Sequence, residues 1–321
     1  MQRVGCFVVA LAASALALPA PAWAFCRTYT CEFDGRQVCD EDPVTRCQRG
    51  GELARWASGC VSYAVQVDGS DDERISAEVL SSVLEDGFRA WSDAECPGPS
   101  GAASALTPPL TAVDRGLTGC DSVEYNCGGA DGNANIVMFR DAQSQLSNNT
   151  IALSTIIANL VTGEILDVDI EINSQDFDFY VDSARASDDA QDLRLVLNHE
   201  LGHMLGLSHS RVDGALMRAE YDGVSFLPAA DDVGGICAVL PGAGGDPACA
   251  VSAITEPGEC VGEDSSCPVA IDGGGSGCVL VASYGRGSRP GAAALGVAAL
   301  AWVLRRRKVR ARASNQEQKR G

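Results

Sequence analysis

Histidine is scarce in this sequence, and its few copies are concentrated in one place. Only three of the 321 residues are histidine, and His199, His203 and His209 all lie in the stretch LNHELGHMLGLSH, residues 197–209. The chain therefore has enough histidine for one histidine-based metal site and none for a second. Whatever the cluster does, it uses every copy of the residue.

Basic residues are also in deficit. The chain has 24 lysines and arginines against 43 aspartates and glutamates, a formal net charge of −19. Eight of the basic residues lie at or beyond Arg305, so the excess of negative charge is larger in the rest of the chain. An acidic surface repels phosphate groups, which excludes nucleic acid and anionic lipid as partners of the globular part.

The N-terminus has the organisation of an export signal. A charged start is followed by the apolar run VGCFVVALAASALAL and by small residues at Ala22 and Ala24. This pattern predicts a secretory signal peptide over 1–24, cleaved after Ala24 and too short to span a membrane. The alternative, a buried N-terminal helix, does not explain the charged start. The mature chain is expected to begin at Phe25, outside the cytoplasm, where disulfides persist.

Cysteine usage agrees with export. Without Cys6, which lies in the signal, thirteen cysteines remain, enough for six bridges with one left over. The spacing does not determine the connectivity, and Cys278 is the best candidate for the unpaired one. Residues 25–50 are rich in cysteine and poor in apolar residues, so we expect bridges rather than a core to hold them.

Residues 51–241 are long enough for one hydrophobic core. Their hydrophobic periodicity predicts strands and helices without regular alternation, which indicates an α+β fold. We predict strands over 61–67, 135–139 and 164–173, a helix over 75–91, and a second helix over 187–205 that Ser187 or an Asp caps and Gly206 ends. Residues 97–109 are expected to form a loop, and 242–280 a Gly- and Cys-rich linker with a small bridged segment.

The histidine spacing predicts a catalytic metal site. Residues four apart lie on the same face of a helix, so His199 and His203 can bind one metal ion, while Glu200 can act as a general base. Gly206 allows the chain to leave the helix in a left-handed turn, and His209 supplies the third nitrogen. Three protein ligands and an open position are typical of catalytic zinc.

The stretch HELGHMLGLSH resembles the metzincin zinc endopeptidases, and its surroundings resemble the matrixin, or matrix-metalloproteinase-like, branch. Ser210 follows the third histidine as in matrixins, and Met217 matches the family's Met-turn beneath the metal. Asp231 and Asp232 occupy the matching positions of the last helix. The resemblance covers 51–241 and implies a zincin-like domain. That domain would have a twisted mixed sheet, an active-site helix, a C-terminal helix and stabilising disulfides.

The sequence also departs from the matrixin pattern. No histidine remains for the second, structural zinc of matrixins, and Ala219 replaces the proline two residues after the Met. Ala219 also excludes the tyrosine that astacin-like and serralysin-like relatives carry there. A cysteine switch is absent: TRCQRGG around Cys47 is only weakly similar, and Cys47 is better explained as a bridged cysteine.

The resemblance implies a zinc endopeptidase that cleaves a protein or peptide substrate. Zinc would polarise the scissile carbonyl, and Glu200 would take a proton from the attacking water and pass it to the leaving amine. The strand around 151–157 could pair with an extended substrate at a sheet edge, and 218–228 would line the specificity pocket by family analogy. Two alternatives are a catalytically silent zinc-containing binding or adhesion module and a cell-wall peptide amidase.

Calcium is a further candidate ligand. Asp167, Asp169 and Glu171, with the stretches at 68–73 and 176–178, supply oxygen atoms, but none matches a defined calcium loop. Solvated acidic faces are the explanation that the sequence favours over calcium ligands.

The C-terminal end of the chain has a three-part pattern. It begins at Cys278, and residues 281–321 form the predicted sorting or anchor segment. Cys278 is followed by the apolar run 290–304, which is short for a stable span, and then by RRRKVR. This resembles bacterial C-terminal sorting signals of the myxobacterial type, in which the tail is removed and the cysteine is processed or lipidated. The alternative is a plain single-pass anchor with its basic flank inside. Both predict a protein attached to the bacterial cell surface at the outer membrane.

Overall fold

The fold was obtained as a computed structural model. It describes residues 24–32, 38–97, 106–125, 134–142, 144–187, 189–220, 225–240, 251–258, 278–281 and 299–303, together with residues 249 and 260. The predicted signal peptide, except for Ala24, and most of the C-terminal tail lie outside these residues. Among the described residues, no helix is both long enough and apolar enough to cross a membrane.

The described chain contains three α-helices, which alternate irregularly with short and long strands. The strands before the first helix are β1 (Cys26–Arg27), β2 (Asp40–Glu41), β3 (Gln48–Arg49) and β4 (Cys60–Gln66). Helix α1 (Ala77–Ser92) is followed by β5 (Thr111–Thr118), β6 (Ile136–Phe139), β7 (Thr150–Asn159), β8 (Ile165–Ile172), β9 (Asp178–Tyr180) and β10 (Ala190–Asp192). Helix α2 (Leu193–Met204), β11 (Leu207–Ser208), α3 (Ala230–Val239), β12 (Cys278–Val281) and β13 (Ala299–Val303) complete the order.

The main sheet is mixed, as the sequence predicts. Its strands lie in the order β12-β7-β8-β6-β4-β5, and β13 also pairs with β7. The strands β5, β4, β6 and β8 are parallel to one another, whereas β7 runs antiparallel to β8. Alternation along the strands buries one face of the sheet against α1 and α2 and the other against a smaller cluster.

The two long helices pack closely because a glycine lies between them. A Cβ at Gly87 of α1 would lie 2.8 Å from Leu201 Cδ1 and 3.0 Å from Asn198 Oδ1 of α2, so a larger residue would force these side chains to move. The indole nitrogen of Trp91 also donates to the carbonyl of Asn198, at 3.1 Å. Helix α1 therefore acts as a support that fixes the position of α2 over the sheet.

The second helix begins later than the sequence predicts. Its N-cap is Asp192, whose side chain accepts from the backbone N–H of Arg194, and Ser187 is not part of the helix. Residues 190–192 instead form β10, which pairs in parallel with β9. Residues 190–192, which helical periodicity assigns to α2, therefore form a strand. Of the two predicted N-caps, the Asp is confirmed and Ser187 is wrong.

Five disulfides are present among the described residues. Cys26–Cys47 and Cys31–Cys39 lie within the N-terminal segment, while Cys96–Cys237, Cys60–Cys249 and Cys120–Cys260 connect distant parts of the chain. Cys47 is confirmed as a bridged cysteine. Cys127 and Cys267 lie outside the described residues, so the expected sixth bridge and the unpaired state of Cys278 stay predictions.

Part of the predicted linker is attached to the edge of the sheet. Residues 251–258 run along β5, where the N–H of Ile254 donates to the carbonyl of Arg115 at 2.6 Å. The bridges at Cys249 and Cys260 hold both ends of this segment. The bridged segment that the sequence predicts is therefore part of the surface of the domain that contains the main sheet.

The C-terminal tail pairs with the other edge of the sheet, at β7. Strands β12 and β13 pair antiparallel with β7, the first over Ile156–Asn159 and the second over residues 150–155. In the full chain β7 is therefore not an edge strand, and the prediction of a free edge around 151–157 is wrong. Strand pairing satisfies backbone groups that would otherwise be exposed, which is why an apolar tail segment adds there.

Candidate metal centre

The three histidines converge at the end of α2. His199 and His203 lie one turn apart, and Gly206, with φ +98°, turns the chain back so that His209 reaches the same point. The ring centroids lie 4.8 Å apart for His199–His203, 4.7 Å for His203–His209 and 5.3 Å for His199–His209. The structure therefore brings together the three predicted ligands.

Backbone carbonyls orient two of the rings. His199 Nδ1 lies 2.7 Å from the carbonyl of Leu216, and His203 Nδ1 lies 2.8 Å from that of Leu207. A carbonyl accepts only from a protonated nitrogen, so each ring carries its proton on Nδ1 and leaves Nε2 as a lone-pair donor. This arrangement is typical of metal-binding histidines.

Burial keeps the rings neutral. It lowers the pKa of His203 to about 4, and burial with the neighbouring imidazoles lowers the pKa of His199 well below its usual value. Burial and the nearby His203 and Arg211 also lower the pKa of His209. Neutral imidazole is the form that binds a metal ion, so the cluster is ready to bind one at neutral pH.

The distances fit zinc. His203 Nε2 lies 3.2 Å from His209 Nε2, and one donor nitrogen from each ring lies within 4.8 Å of the others. Two nitrogens on a tetrahedral zinc lie about 3.3 Å apart, given zinc–nitrogen distances of about 2.0 Å. Lone pairs that face each other at this distance repel unless a cation lies between them. The donor set therefore suits a single zinc ion.

Glu200 lies beside this cluster and is fully buried. Its Oε2 accepts a 2.6 Å hydrogen bond from the hydroxyl of Ser154 on β7, while its Oε1 has no hydrogen-bond partner among the described residues. Burial raises the pKa of Glu200 to about 8, although the hydrogen bond from Ser154 opposes the rise. A carboxyl group with a pKa near neutrality, one oxygen held and the other unengaged, suits proton transfer.

Met217 lies beneath the helix that carries the histidines. A Cβ at Gly202 would overlap its sulfur, so glycine at this position permits the contact. The carboxylate of Asp232 accepts from the N–H groups of Leu216 and Met217, at 2.7 and 3.0 Å. The adjacent Asp231 accepts from Ser210 Oγ at 2.7 Å. The acidic pair of α3 therefore ties the turn at Met217 to the loop that follows His209.

The comparison with known families agrees with this geometry. Residues 137–240 match the family model described as Matrixin. The chain contains a matrixin-like domain. The match includes the three histidines, Glu200 and Met217 and supports a zinc-dependent metallopeptidase type of function, whereas β4, α1 and β5 lie outside it. No curated protein matches the chain.

The other residues that the sequence singles out lie outside the histidine cluster. Asp167 and Asp169 are buried together on the sheet face opposite the helices, whereas Glu171 forms a 2.7 Å ion pair with Arg140. Cys278 lies in β12, at the far end of β7 from residue 150. The segment 218–228 lies after the Met-turn, and 221–224 are outside the described residues.

Ser154 is a site residue that the sequence analysis does not identify. Its only local signal is a hydroxyl within the apolar stretch IALSTII. Because β7 and α2 are brought together by the tertiary fold, no spacing rule connects Ser154 with Glu200. A second buried group, Cys120, Glu124 and Cys260, has metal-ligand residue types, but its two sulfurs are bonded to each other.

Proposed function

We propose that this protein is a zinc-dependent endopeptidase that is exported and attached to the bacterial cell surface through its C-terminal tail. The observation that carries the proposal is the position of Glu200. A buried carboxyl group with one restrained oxygen, directly beside three neutral imidazoles, has no evident role in packing. It suits a general base that acts on water at a metal centre.

The residues of the chain divide the reaction between them. His199, His203 and His209 would hold the zinc ion, which supplies Lewis-acid polarisation of the scissile carbonyl. Glu200 takes the proton of the attacking water and transfers it to the nitrogen of the leaving amine. Ser154 keeps the carboxylate oriented during both transfers.

Substrate would bind in an extended conformation along β7. An extended peptide adds to a sheet edge through main-chain hydrogen bonds, and Ser154 places this strand next to Glu200. In the full chain, β12 and β13 occupy the required edge. Removal of the tail after export would therefore both release the cleft and leave Cys278 for attachment.

The acidic pair on the other face supports a second, structural ligand, calcium. Asp167 and Asp169 are buried, and neither carboxylate oxygen of Asp167 has a hydrogen-bond partner among the described residues. Carboxylate oxygens are the ligands that calcium prefers. We propose that these two aspartates, rather than Glu171, bind calcium.

A catalytically silent zinc module is the main alternative. Structural zinc sites are closed by four protein ligands, whereas this cluster offers three histidines and a carboxyl group that Ser154 holds. The third possibility, a cell-wall peptide amidase, uses the same chemistry on another substrate.

Proteolysis of an unfolded protein would test the proposal. Residues 25–275 and the full chain should be compared with Glu200→Ala at equal zinc content, and with Glu85→Ala, which changes an exposed carboxylate on α1. We expect cleavage that a chelator and Glu200→Ala abolish and that Glu85→Ala leaves unchanged. Zinc binding at one ion per chain without cleavage would favour the binding module, and cleavage of cell-wall peptides alone would favour the amidase.

A further inference from the structure

A cavity of about 330 Å³ lies beside the metal centre, next to His209. One part of its wall is the loop after α2, with Ser208, His209 and Arg211, and another is Arg46 with its neighbours in the N-terminal segment. Arg218, which follows the Met-turn, also lines it. We call this space the arginine cavity, after Arg46, Arg211 and Arg218.

The N-terminal part of the wall is fixed relative to the metal centre. Cys47 is bonded to Cys26, and Cys26 pairs across β1 and β11 with Ser208, the residue before His209. Arg46 itself has φ +64°, a left-handed conformation that a residue with a side chain adopts at an energetic cost. A disulfide and a strand pair therefore hold a strained arginine at this position.

Arginine is the most frequent charged residue in the wall of the arginine cavity, although the protein as a whole is very acidic. Three guanidinium groups line it against one carboxylate, Glu220, although the chain has a net charge of −19 and no lysine before Lys308. Two of the arginines have acidic neighbours: Arg46 lies 2.7 Å from Glu41, and Arg218 contacts Asp213 and Glu220.

Arg211 differs from the other two arginines. Within the part of the chain that the structure describes, no carboxylate lies within ion-pair distance of it. The pair of Arg46 with Glu41 is largely exposed, and such pairs contribute little stability. Arg46 and Arg211 can therefore both turn to a ligand at low cost.

We propose that the arginine cavity binds a carboxylate of the substrate close to the scissile bond, so that the protein prefers acidic peptides. The proposal rests on the peptidase function proposed above and names its substrate class. Because His209 itself lines the cavity, a group bound there lies close to the metal centre. Guanidinium groups match carboxylates in shape and charge, which gives selectivity over the isosteric amide.

The test is the binding of matched peptides to the zinc-loaded protein carrying Glu200→Gln, which cannot cleave them under the proposed mechanism. Binding is measured on the full chain and on residues 25–275, which lack the tail that pairs with β7. Peptides that differ only by Glu or Gln at one position are compared by fluorescence anisotropy, with the acidic position moved along the peptide. Further peptides carry the carboxylate only at a free C-terminus. We expect a preference of at least about tenfold for the carboxylate over the amide at one position, the lower end of what a charged hydrogen bond contributes.

Arginine variants test whether the preference for the Glu peptide over the Gln peptide arises in the arginine cavity. Arg46→Gln with Arg211→Gln should remove it, and Arg211→Glu should reverse it, whereas Arg89→Gln, an exposed arginine on α1, should preserve it. Equal binding of the Glu and Gln peptides, binding of neither, or a preference that survives the cavity variants would overturn the proposal. A preference in binding without cleavage by residues 25–275 with Glu200 intact would refute the peptidase function and leave the carboxylate site standing.

Discussion

The hydroxyl of Ser154 donates a 2.6 Å hydrogen bond to Glu200, which lies 46 residues further along the chain. One residue belongs to β7 and the other to α2, so this contact joins the sheet to the helix that carries the metal-binding motif. It also places the strand that would receive substrate next to the proposed general base.

Loss of the Ser154 hydroxyl should impair catalysis without loss of zinc. In Ser154→Ala the carboxylate of Glu200 loses the one side-chain donor that it has among the described residues. We expect kcat to fall by about 10- to 100-fold, since hydrogen bonds to charged groups contribute about 1.5–3 kcal/mol. Because this hydrogen bond lowers the pKa of Glu200, the acid limb of the pH–rate profile should move to higher pH. Ser154→Thr keeps a hydroxyl and should restore both; unchanged kinetics in Ser154→Ala would contradict the role.

Alanine at Gly202 should destabilise the protein even though alanine favours helices. A Cβ there meets the sulfur of Met217 and, at 3.0 Å, Trp91. We expect Gly202→Ala to lower the free energy of unfolding by about 1–3 kcal/mol, as overpacking usually does. Ser82→Ala, on an exposed position of α1, measures the helix-propensity gain alone. A Gly202→Ala variant as stable as that control would show that Met217 does not pack there.

The buried aspartates predict an unusual pH dependence of stability in the calcium-free protein. Burial, followed by repulsion from Glu171 and Glu124, raises the pKa of Asp169 to about 7, although two backbone N–H groups oppose this. A carboxyl group with a raised pKa in the folded state contributes stability below its unfolded value near 4. That contribution is lost as the pH rises through about 7. Denaturant unfolding from pH 4 to pH 8 should therefore show a loss of about 4 kcal/mol in the free energy of unfolding, since each of roughly three pKa units contributes about 1.4 kcal/mol. Asp169→Asn should reduce this loss.

Calcium should prevent the loss of stability at high pH if Asp167 and Asp169 bind it. Two ionised carboxylates that repel each other become ligands once a cation lies between them. We expect millimolar calcium to raise the melting temperature at pH 8 and to have little effect at pH 5. An equal response in Asp169→Asn, or none in the unmodified protein, would argue against the calcium proposal.

The tail should inhibit the full chain. Because β12 and β13 pair with β7, a peptide can use that edge only after they leave. We expect residues 25–275 to cleave an extended peptide with a higher kcat/KM than the full chain, chiefly through a lower KM. Mixing in a synthetic peptide of residues 299–303 should inhibit the short form, whereas a scrambled peptide should not. Equal kcat/KM values for the two forms would refute inhibition by the tail.

The local elements are the part of this protein that the sequence by itself determines. The strands β4, β6 and β8 and the helix α1 follow from alternation and helical periodicity within single segments. The convergence of His199, His203 and His209 also follows locally, because the helical repeat aligns the first two and the turn at Gly206 returns the third. Each of these features depends on fewer than about twenty consecutive residues.

The tertiary structure decides everything that depends on residues far apart in the chain. Strand pairing with β9 turns residues 190–192 from helix into β10, and the tail removes the free edge of β7. The partner of Glu200, the disulfide connectivity and the approach of Arg46 to His209 arise only when separate elements pack together. Periodicity reports which face of an element is buried, whereas the identity of the neighbour on that face depends on the whole fold.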